Sequence, residues 1–104
     1  MPLRLRLRPA ARRDAYDAQD WYEDAAPGLG EAFTDELLSA LAFLAAHPTV
    51  GSRRYGHFLP DASLRVWALD RFPFLIFYRV SGETLDIVRV LHERRDIVAS
   101  LIRH

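Results

Sequence analysis

The chain has 104 residues, with 14 arginines, no lysine, 14 acidic residues and no cysteine, and half of its residues are apolar. This length fits a single domain spanning residues 1–104, and the lack of cysteine excludes disulfides, thiolate metal sites and cysteine nucleophiles. No apolar run is long enough to cross a membrane, and the alternating start lacks the continuous apolar stretch of a secretory signal. We therefore expect a cytoplasmic protein.

Charge is distributed unevenly along the chain. Residues 1–13 carry five arginines and no acid, residues 14–52 carry eight acids and no basic residue, and residues 53–104 carry nine arginines and six acids. The segment charges of +5, −8 and +3 sum to a formal net charge of zero. Nucleic-acid-binding domains usually carry a net positive charge. The acidic middle segment therefore disfavours generic binding of nucleic acid.

The first predicted elements are a strand and a helix. Leucines and arginines alternate over residues 3–7, which indicates a strand, and Pro9 ends it because proline cannot donate to a ladder. A helix is predicted over residues 10–26, with one face formed by Ala11, Ala15, Ala18, Tyr22 and Ala25. Beside that face runs a stripe that we interpret as solvent-exposed, formed by Asp14, Asp17, Asp20 and Asp24.

A second helix is predicted over residues 29–46, after a break at Pro27-Gly28. Its apolar stripe is formed by Phe33, Leu37, Leu41 and Leu44, widened by Leu38, Ala42 and Ala45. The short connection predicts that the two helices pack as an antiparallel hairpin.

The second half of the chain predicts a sheet. Residues 48–63 look irregular, and strands are predicted over residues 64–69, 74–80 and 84–91, with a turn at Ser81-Gly82. Short connections make these strands an antiparallel meander. The tail, residues 93–103, has helical spacing at Ile97, Val98, Leu101 and Ile102. The sequence therefore predicts an α+β domain with a helical hairpin across one sheet: N-terminal strand, antiparallel helical hairpin, three-stranded antiparallel meander and short C-terminal helix.

Few residues suggest chemistry. The four histidines, at positions 47, 57, 92 and 104, show no metal-ligand spacing, so we predict no metal site and no cofactor. No serine lies in a nucleophile elbow, and there is no glycine-rich phosphate loop. Arg65 and Arg79 on strands, with His92 at the end of the last strand, are candidates for phosphate binding and acid–base catalysis of RNA cleavage. Alternatively, the arginines lie on an outer sheet face and pair with Asp70, Asp86 or Asp96.

Several segments carry a family resemblance, in the right order and over nearly the whole chain. The most specific are residues 72–79 (FPFLIFYR) and 87–96 (IVRVLHERRD); the others are Pro9-Ala10-Ala11, Trp21-Tyr22, His47-Pro48 with Gly51, and Leu64-Arg65. With these segments the chain resembles the ParE branch of the RelE/ParE toxin superfamily, from bacterial toxin–antitoxin modules.

The resemblance implies a small α+β toxin neutralised by a cognate, ParD-like antitoxin. ParE-like members are known as poisons of DNA gyrase, whereas RelE-like members are mRNA endonucleases that work on the ribosome. RelE-like members tend to carry several basic residues and a Tyr or His near the end of the sheet. This chain keeps Arg65, Arg79 and His92 but has no Tyr after Tyr78 and no Lys, so the ParE function is favoured. The alternatives are a ribosome-dependent mRNA endonuclease and a decayed module that binds antitoxin without being toxic.

Two binding surfaces are predicted with the resemblance. We expect an apolar groove on the sheet to hold the antitoxin through Trp67, Phe72 and Phe74, unless these aromatics are simply core. We expect the C-terminal segment to contact gyrase through Arg94, Arg95, Ile97, Val98, Leu101 and Ile102, unless its helix only packs over the sheet. Direct binding of nucleic acid is not expected, except through the complex with the antitoxin.

Overall fold

The computed structural model describes residues 1–56 and 63–102. In chain order the elements are β1 (Arg4–Leu7), α1 (Pro9–Ala25), α2 (Leu29–Ala46), β2 (Arg65–Ala68), β3 (Phe74–Ser81), β4 (Thr84–His92) and α3 (Ile97–Ile102). The four strands form one sheet in the order β1-β4-β3-β2. β1 runs parallel to β4, and the other two pairs are antiparallel. The predicted fold class and element order are confirmed, and position 103 of the predicted tail lies outside the described residues.

The helical hairpin has clear local causes. α1 begins at Pro9, whose fixed φ suits the first helical position. Gly28 has a φ of +85°, a left-handed conformation that favours glycine, and α2 starts directly after it. The carboxylate of Glu23 in α1 accepts hydrogen bonds of 3.0–3.1 Å from the N–H groups of Gly28 and Gly30. An acid from α1 thus stabilises the positive end of α2.

The hairpin between β3 and β4 turns one residue later than predicted. Ser81 is still in β3 and pairs with Thr84, so the turn consists of Gly82 and Glu83. Gly82 has a φ of +60°, which a tight two-residue hairpin needs at its first central position.

The larger core lies between the hairpin and the sheet. The predicted α2 stripe of Phe33, Leu37, Leu41 and Leu44 is buried there, together with Ala45. The predicted widening by Leu38 and Ala42 was wrong, because both lie on the outer side of α2, and Leu38 is 56% exposed.

A smaller core covers the opposite face of the sheet. α3 packs there through Ile97 and Leu101 against Leu75, Phe77 and other apolar side chains. At this point the β3–β4 register shifts: Phe77 pairs with Arg89 and Tyr78 with Ile87, so Val88 is an extra residue of β4. Such a bulge bends the strand locally.

The acidic stripe of α1 is only partly solvent-exposed. Asp17, Asp20 and Asp24 are exposed as predicted, but the prediction was wrong for Asp14, whose side chain is 9% exposed. β1 ends at Leu7, so α1 covers the free edge of β4 beyond that point, where the carboxylate of Asp14 accepts hydrogen bonds from Arg89 and Val90. Among the described residues, no helix combines the length and apolar content that crossing a bilayer would require.

Candidate functional site

Arg65 anchors a loop at the edge of the sheet. Its guanidinium donates hydrogen bonds to the carbonyl oxygens of Thr49 (3.0 Å) and Gly51 (2.8 Å). It lies beside Tyr78, whose hydroxyl donates to the Pro48 carbonyl and accepts from the Gly51 N–H, both at 2.9 Å. Burial raises the pKa of the Tyr78 phenol, although the Gly51 hydrogen bond and the Arg65 charge partly oppose this. Arg65 therefore has a structural role, because it fixes the segment that follows α2.

Arg79 lies on the opposite face of the sheet. It follows Tyr78 along β3, and neighbouring side chains of a strand alternate between faces. Its Nε lies 3.5 Å from the carboxylate of Asp86, which Arg8 also binds. This geometry agrees with the alternative interpretation of the sequence, in which Arg79 pairs with an acid of the sheet.

His92 is the last residue of β4 and lies at the end of the sheet opposite the β3–β4 turn. Its ring packs edge-on against Phe74, with centroids 5.2 Å apart, and Nδ1 accepts a hydrogen bond of 3.1 Å from the Arg94 N–H. A neutral ring in this position carries its proton on Nε2. His92 is thus oriented by its neighbours and half-buried.

The three nuclease candidates do not come together. Arg65 and Arg79 lie on opposite faces of the sheet, as their different partners show. Arg65 pairs with Tyr78 whereas His92 pairs with Phe74, four residues away along β3, a spacing of about 13 Å. The structure therefore assembles no common site for phosphate and an acid or base from these residues.

His92 instead lines a groove between α1 and β4, which we call the α1–β4 groove. Its volume is about 230 Å³, and it is lined by Asp14, Asp17, Ala18, Trp21, Phe74, Val90, His92 and Arg95. Trp21 is 72% exposed, which is unusual for so large an apolar side chain. Trp21 was noted in the sequence only as part of the resemblance.

The C-terminal segment is divided between packing and exposure. Ile97 and Leu101 are buried against the sheet. This agrees with the alternative prediction, in which the helix only packs over the sheet. Arg94 and Arg95 are exposed, Val98 is half-buried and Ile102 is 66% exposed. Of the six residues predicted to contact gyrase, these last four are at least partly exposed, and we call them the C-terminal surface.

The three candidate aromatics for antitoxin binding lie on the hairpin side of the sheet. Phe72 is buried, and Phe74 packs beside it against Tyr22 and Phe33, with ring centroids 4.8–6.1 Å apart. The sheet face opposite the hairpin, where an open groove was expected, is instead covered in part by α3. Phe72 is therefore part of the core, whereas Phe74 is partly buried at the margin of the core and also lines the α1–β4 groove.

Trp67 lines a different groove, between α2 and β2. This α2–β2 groove has a volume of about 290 Å³ and is lined by Glu36, Ser39, Ala40, Phe43, Trp67, Ala68, Leu69 and Asp70. The rings of Trp67 and Phe43 lie 5.5 Å apart, and Phe43 is 41% exposed. An apolar groove with a tryptophan in it is typical of a surface that binds another protein.

Two acid–arginine pairs, Asp14–Arg89 and Glu36–Arg71, are features that sequence reasoning missed. The Asp14 hydrogen bond raises the pKa of Arg89 above its ordinary value, against the opposing effect of burial. Burial opposes the ionisation of Glu36, but hydrogen bonds from Arg71 and from the Asp70 N–H outweigh it and lower its pKa. These partners lie tens of residues apart along the chain, so no local pattern reveals them. Over residues 1–56 and 63–102, no three His or acidic side chains cluster as metal ligands.

Comparison with known proteins identifies relatives over nearly the full length. The family model described as "ParE toxin of type II toxin-antitoxin system, parDE" matches residues 5–97. Two proteins named Toxin ParE1, from Mycobacterium tuberculosis strains CDC 1551 / Oshkosh and ATCC 25618 / H37Rv, are each 34% identical over 103 residues, covering 97% of this chain and 100% of the relative. A solved structure described as "Chromosomal ParDE TA system from P. aeruginosa" matches with a TM-score of 0.72 and 20% identity, over 86% of this chain and 95% of the other. At that identity the structural match establishes the fold.

Proposed function

Since the chain belongs to the ParE toxin family of type II toxin–antitoxin systems, we propose that it acts in the cytoplasm by inhibiting DNA gyrase, without chemistry of its own. A toxin of this class is held inactive by a cognate antitoxin, and that partner is part of the family's definition. The proposal concerns the target and the surfaces used, which the family membership leaves open.

The separation of the three nuclease candidates is the observation that carries this proposal. An endonuclease needs a base and phosphate-binding groups within hydrogen-bond reach of one substrate. Here Arg65 holds a loop, Arg79 lies by Asp86 on the other face, and His92 lies at the far end of the sheet. A toxin that acts by binding a protein needs no such assembly.

We assign target contact to the C-terminal surface. Arg94 and Arg95 provide two exposed charges just before α3, and the buried Ile97 and Leu101 fix this helix, whose Ile102 is exposed. Arginine beside apolar surface is a frequent combination at protein interfaces. The α1–β4 groove, with Trp21 and Arg95 in its lining, continues this surface toward α1.

We assign antitoxin contact to the α2–β2 groove around Trp67. An antitoxin segment that orders on binding would bury the exposed parts of Trp67 and Phe43 there. The groove lies beside β2, at the opposite edge of the sheet from β1.

The decisive test follows DNA and protein synthesis together by pulse-labelling after induced expression in a bacterium. We expect DNA synthesis to fall first, and the purified full-length protein to inhibit supercoiling by purified gyrase in a way that the cognate antitoxin reverses. If protein synthesis falls first and a His92→Ala variant loses toxicity, the protein is an mRNA endonuclease and the proposal is wrong. If expression causes no growth arrest, the module is decayed and the proposal is also wrong.

A further inference from the structure

A polar pocket lies on the sheet near the β3–β4 turn and shares no residue with the two grooves or the C-terminal surface. The strand register places Arg6 of β1 beside Asp86 of β4, and Asp86 beside Arg79 of β3. One row nearer the turn, Thr84 of β4 pairs with Ser81 of β3. The pocket has a volume of about 260 Å³ and is lined by Arg6, Arg8, Arg79, Ser81, Thr84 and Asp86.

Two of the three arginines of this pocket, Arg8 and Arg79, contact a buried acid. Asp86 is only 4% exposed, and Arg8 binds its carboxylate through Nε and Nη2, with a shortest distance of 2.8 Å. The Nε atom of Arg79 lies 3.5 Å from the same carboxylate. Three arginines against one carboxylate leave the pocket with a charge of about +2, because arginine stays protonated in proteins.

We propose that this pocket, the Arg6–Arg79 pocket, binds a phosphoryl group. A phosphoryl group carries a charge of about −1.5 to −2 at pH 7 and three strong acceptor oxygens. Guanidinium groups match its oxygens in geometry, and the Ser81 and Thr84 hydroxyls add donors on another side. Holding two guanidiniums in place before the ligand arrives lowers the entropy lost on binding.

A carboxylate ligand fits the pocket less well. A single arginine can satisfy both oxygens of a carboxylate in bidentate geometry, as Arg8 already does for Asp86. The additional donors, which come from β1, β3 and β4, favour an anion with oxygens pointing in more than two directions. The pocket is independent of the gyrase proposal, since it shares no residue with the C-terminal surface or the α2–β2 groove.

The test titrates the full-length protein with pyrophosphate by calorimetry, at constant ionic strength set with chloride. We expect saturable binding that weakens about tenfold or more in an Arg6→Gln variant, since a charge-assisted hydrogen bond contributes about that factor. Arg6 is exposed, so its replacement should leave the fold intact, which circular dichroism checks. The matched control is Arg12→Gln, which removes the same charge from an exposed position of α1 and should bind as the unaltered protein does.

Two further titrations distinguish the possible sources of the phosphoryl group. Binding of pyrophosphate but not of an eight-nucleotide oligothymidylate supports a small phosphorylated ligand. Binding of both, with the same loss in Arg6→Gln, supports a nucleic-acid backbone. The proposal is overturned if neither binds, if Arg6→Gln binds as well as the unaltered protein, if Arg12→Gln loses as much affinity, or if a short oligoglutamate peptide binds more tightly than pyrophosphate.

Discussion

The carboxylate of Asp14 in α1 binds the guanidinium of Arg89 in β4 through two hydrogen bonds of 2.7 and 2.9 Å. Arg89 also donates to the carbonyl oxygen of Ser100 in α3, at 2.9 Å, and the Val90 N–H donates to Asp14 at 3.0 Å. Both side chains of the pair are about nine-tenths buried. A single ion pair therefore connects the helical hairpin, the sheet and the C-terminal helix.

Replacing Asp14 by Asn should lower the free energy of unfolding by about 3 kcal/mol, because it leaves a buried guanidinium without its counter-charge. Urea denaturation measures the loss. Asp20→Asn is the matched control, since Asp20 is an exposed acid of the same helix, and it should change stability by less than about 0.5 kcal/mol. Equal effects of the two variants would contradict the structural role of Asp14.

Replacing Gly51 by Ala should destabilise the protein by about 2 kcal/mol. A Cβ atom there would lie 2.8 Å from Cε1 of Tyr78, whose side chain is fully buried. Tyr78→Phe alone should cost about 1–2 kcal/mol, because the hydroxyl's hydrogen bonds to Pro48 and Gly51 are lost.

The double variant checks this explanation. Without the Tyr78 hydroxyl, the alanine at position 51 meets less steric conflict, so the two losses measured by urea denaturation should be less than additive. Strict additivity would mean that the two residues do not act through this contact.

Replacing Glu36 by Gln should reduce stability at pH 7 and have a smaller effect in acid. The folded-state pKa of Glu36 is lowered from 4.5, so its ionised form is stabilised by folding. That contribution is complete above pH 4.5 and is lost as the pH falls through the lower, folded-state pKa. Denaturation curves of both proteins between pH 7 and pH 2 should therefore converge at the acid end, and a constant difference would contradict this account.

Replacing Arg94 and Arg95 by Gln, together with Ile102→Ser, should reduce gyrase inhibition about a hundredfold or more, as expected for interface residues of these types. The fold should be retained because these side chains are exposed. Deleting residues 93–104 is a poorer experiment, since it also removes the buried Ile97 and Leu101. The control is Arg12→Gln with Arg13→Gln, two exposed arginines of α1; unchanged inhibition by the C-terminal variant would refute the assignment.

Replacing Trp67 by Ala should weaken antitoxin binding about tenfold or more, while the protein stays folded. Trp67 is half-buried at the edge of the larger core, so some loss of stability is expected as well, and thermal unfolding should record it separately. Tyr16→Ala, at an aromatic residue of α1 that is 58% exposed, is the control. Equal antitoxin affinity of a folded Trp67→Ala protein and the unaltered protein would refute a role for the α2–β2 groove.

The two helices of the hairpin could be predicted from the sequence almost to the residue, because their spacing and the breaks at Pro9 and Gly28 are local signals. The face of the sheet on which each strand side chain lies could not be predicted. β3 is nearly continuously apolar, since both of its faces are covered, so the pattern does not reveal that Phe74 lies under the hairpin while Leu75 faces α3.

The functional candidates show a similar limit. Arg65 and Arg79 look equivalent in the sequence, but their faces depend on β-strand register, and their partners depend on contacts between distant segments. Asp14 looks like one of four equivalent acids on a helix. It is buried because β1 ends early and leaves the edge of β4 to α1, which no local pattern contains.

The parallel pairing of β1 with β4 also bears on how the protein is made. Arg4 pairs with Thr84 and Leu7 with Ile87. The first strand therefore cannot pair until residues 80 positions further along the chain have been synthesised. Closing so long a segment is slow and entropically costly, and β4 lies between β1 and β3 in the sheet. A nascent chain that stops before β4 cannot join the two parts of its sheet. Truncated translation products of this gene should therefore be harmless, and toxicity should arise only as synthesis of the chain nears its end.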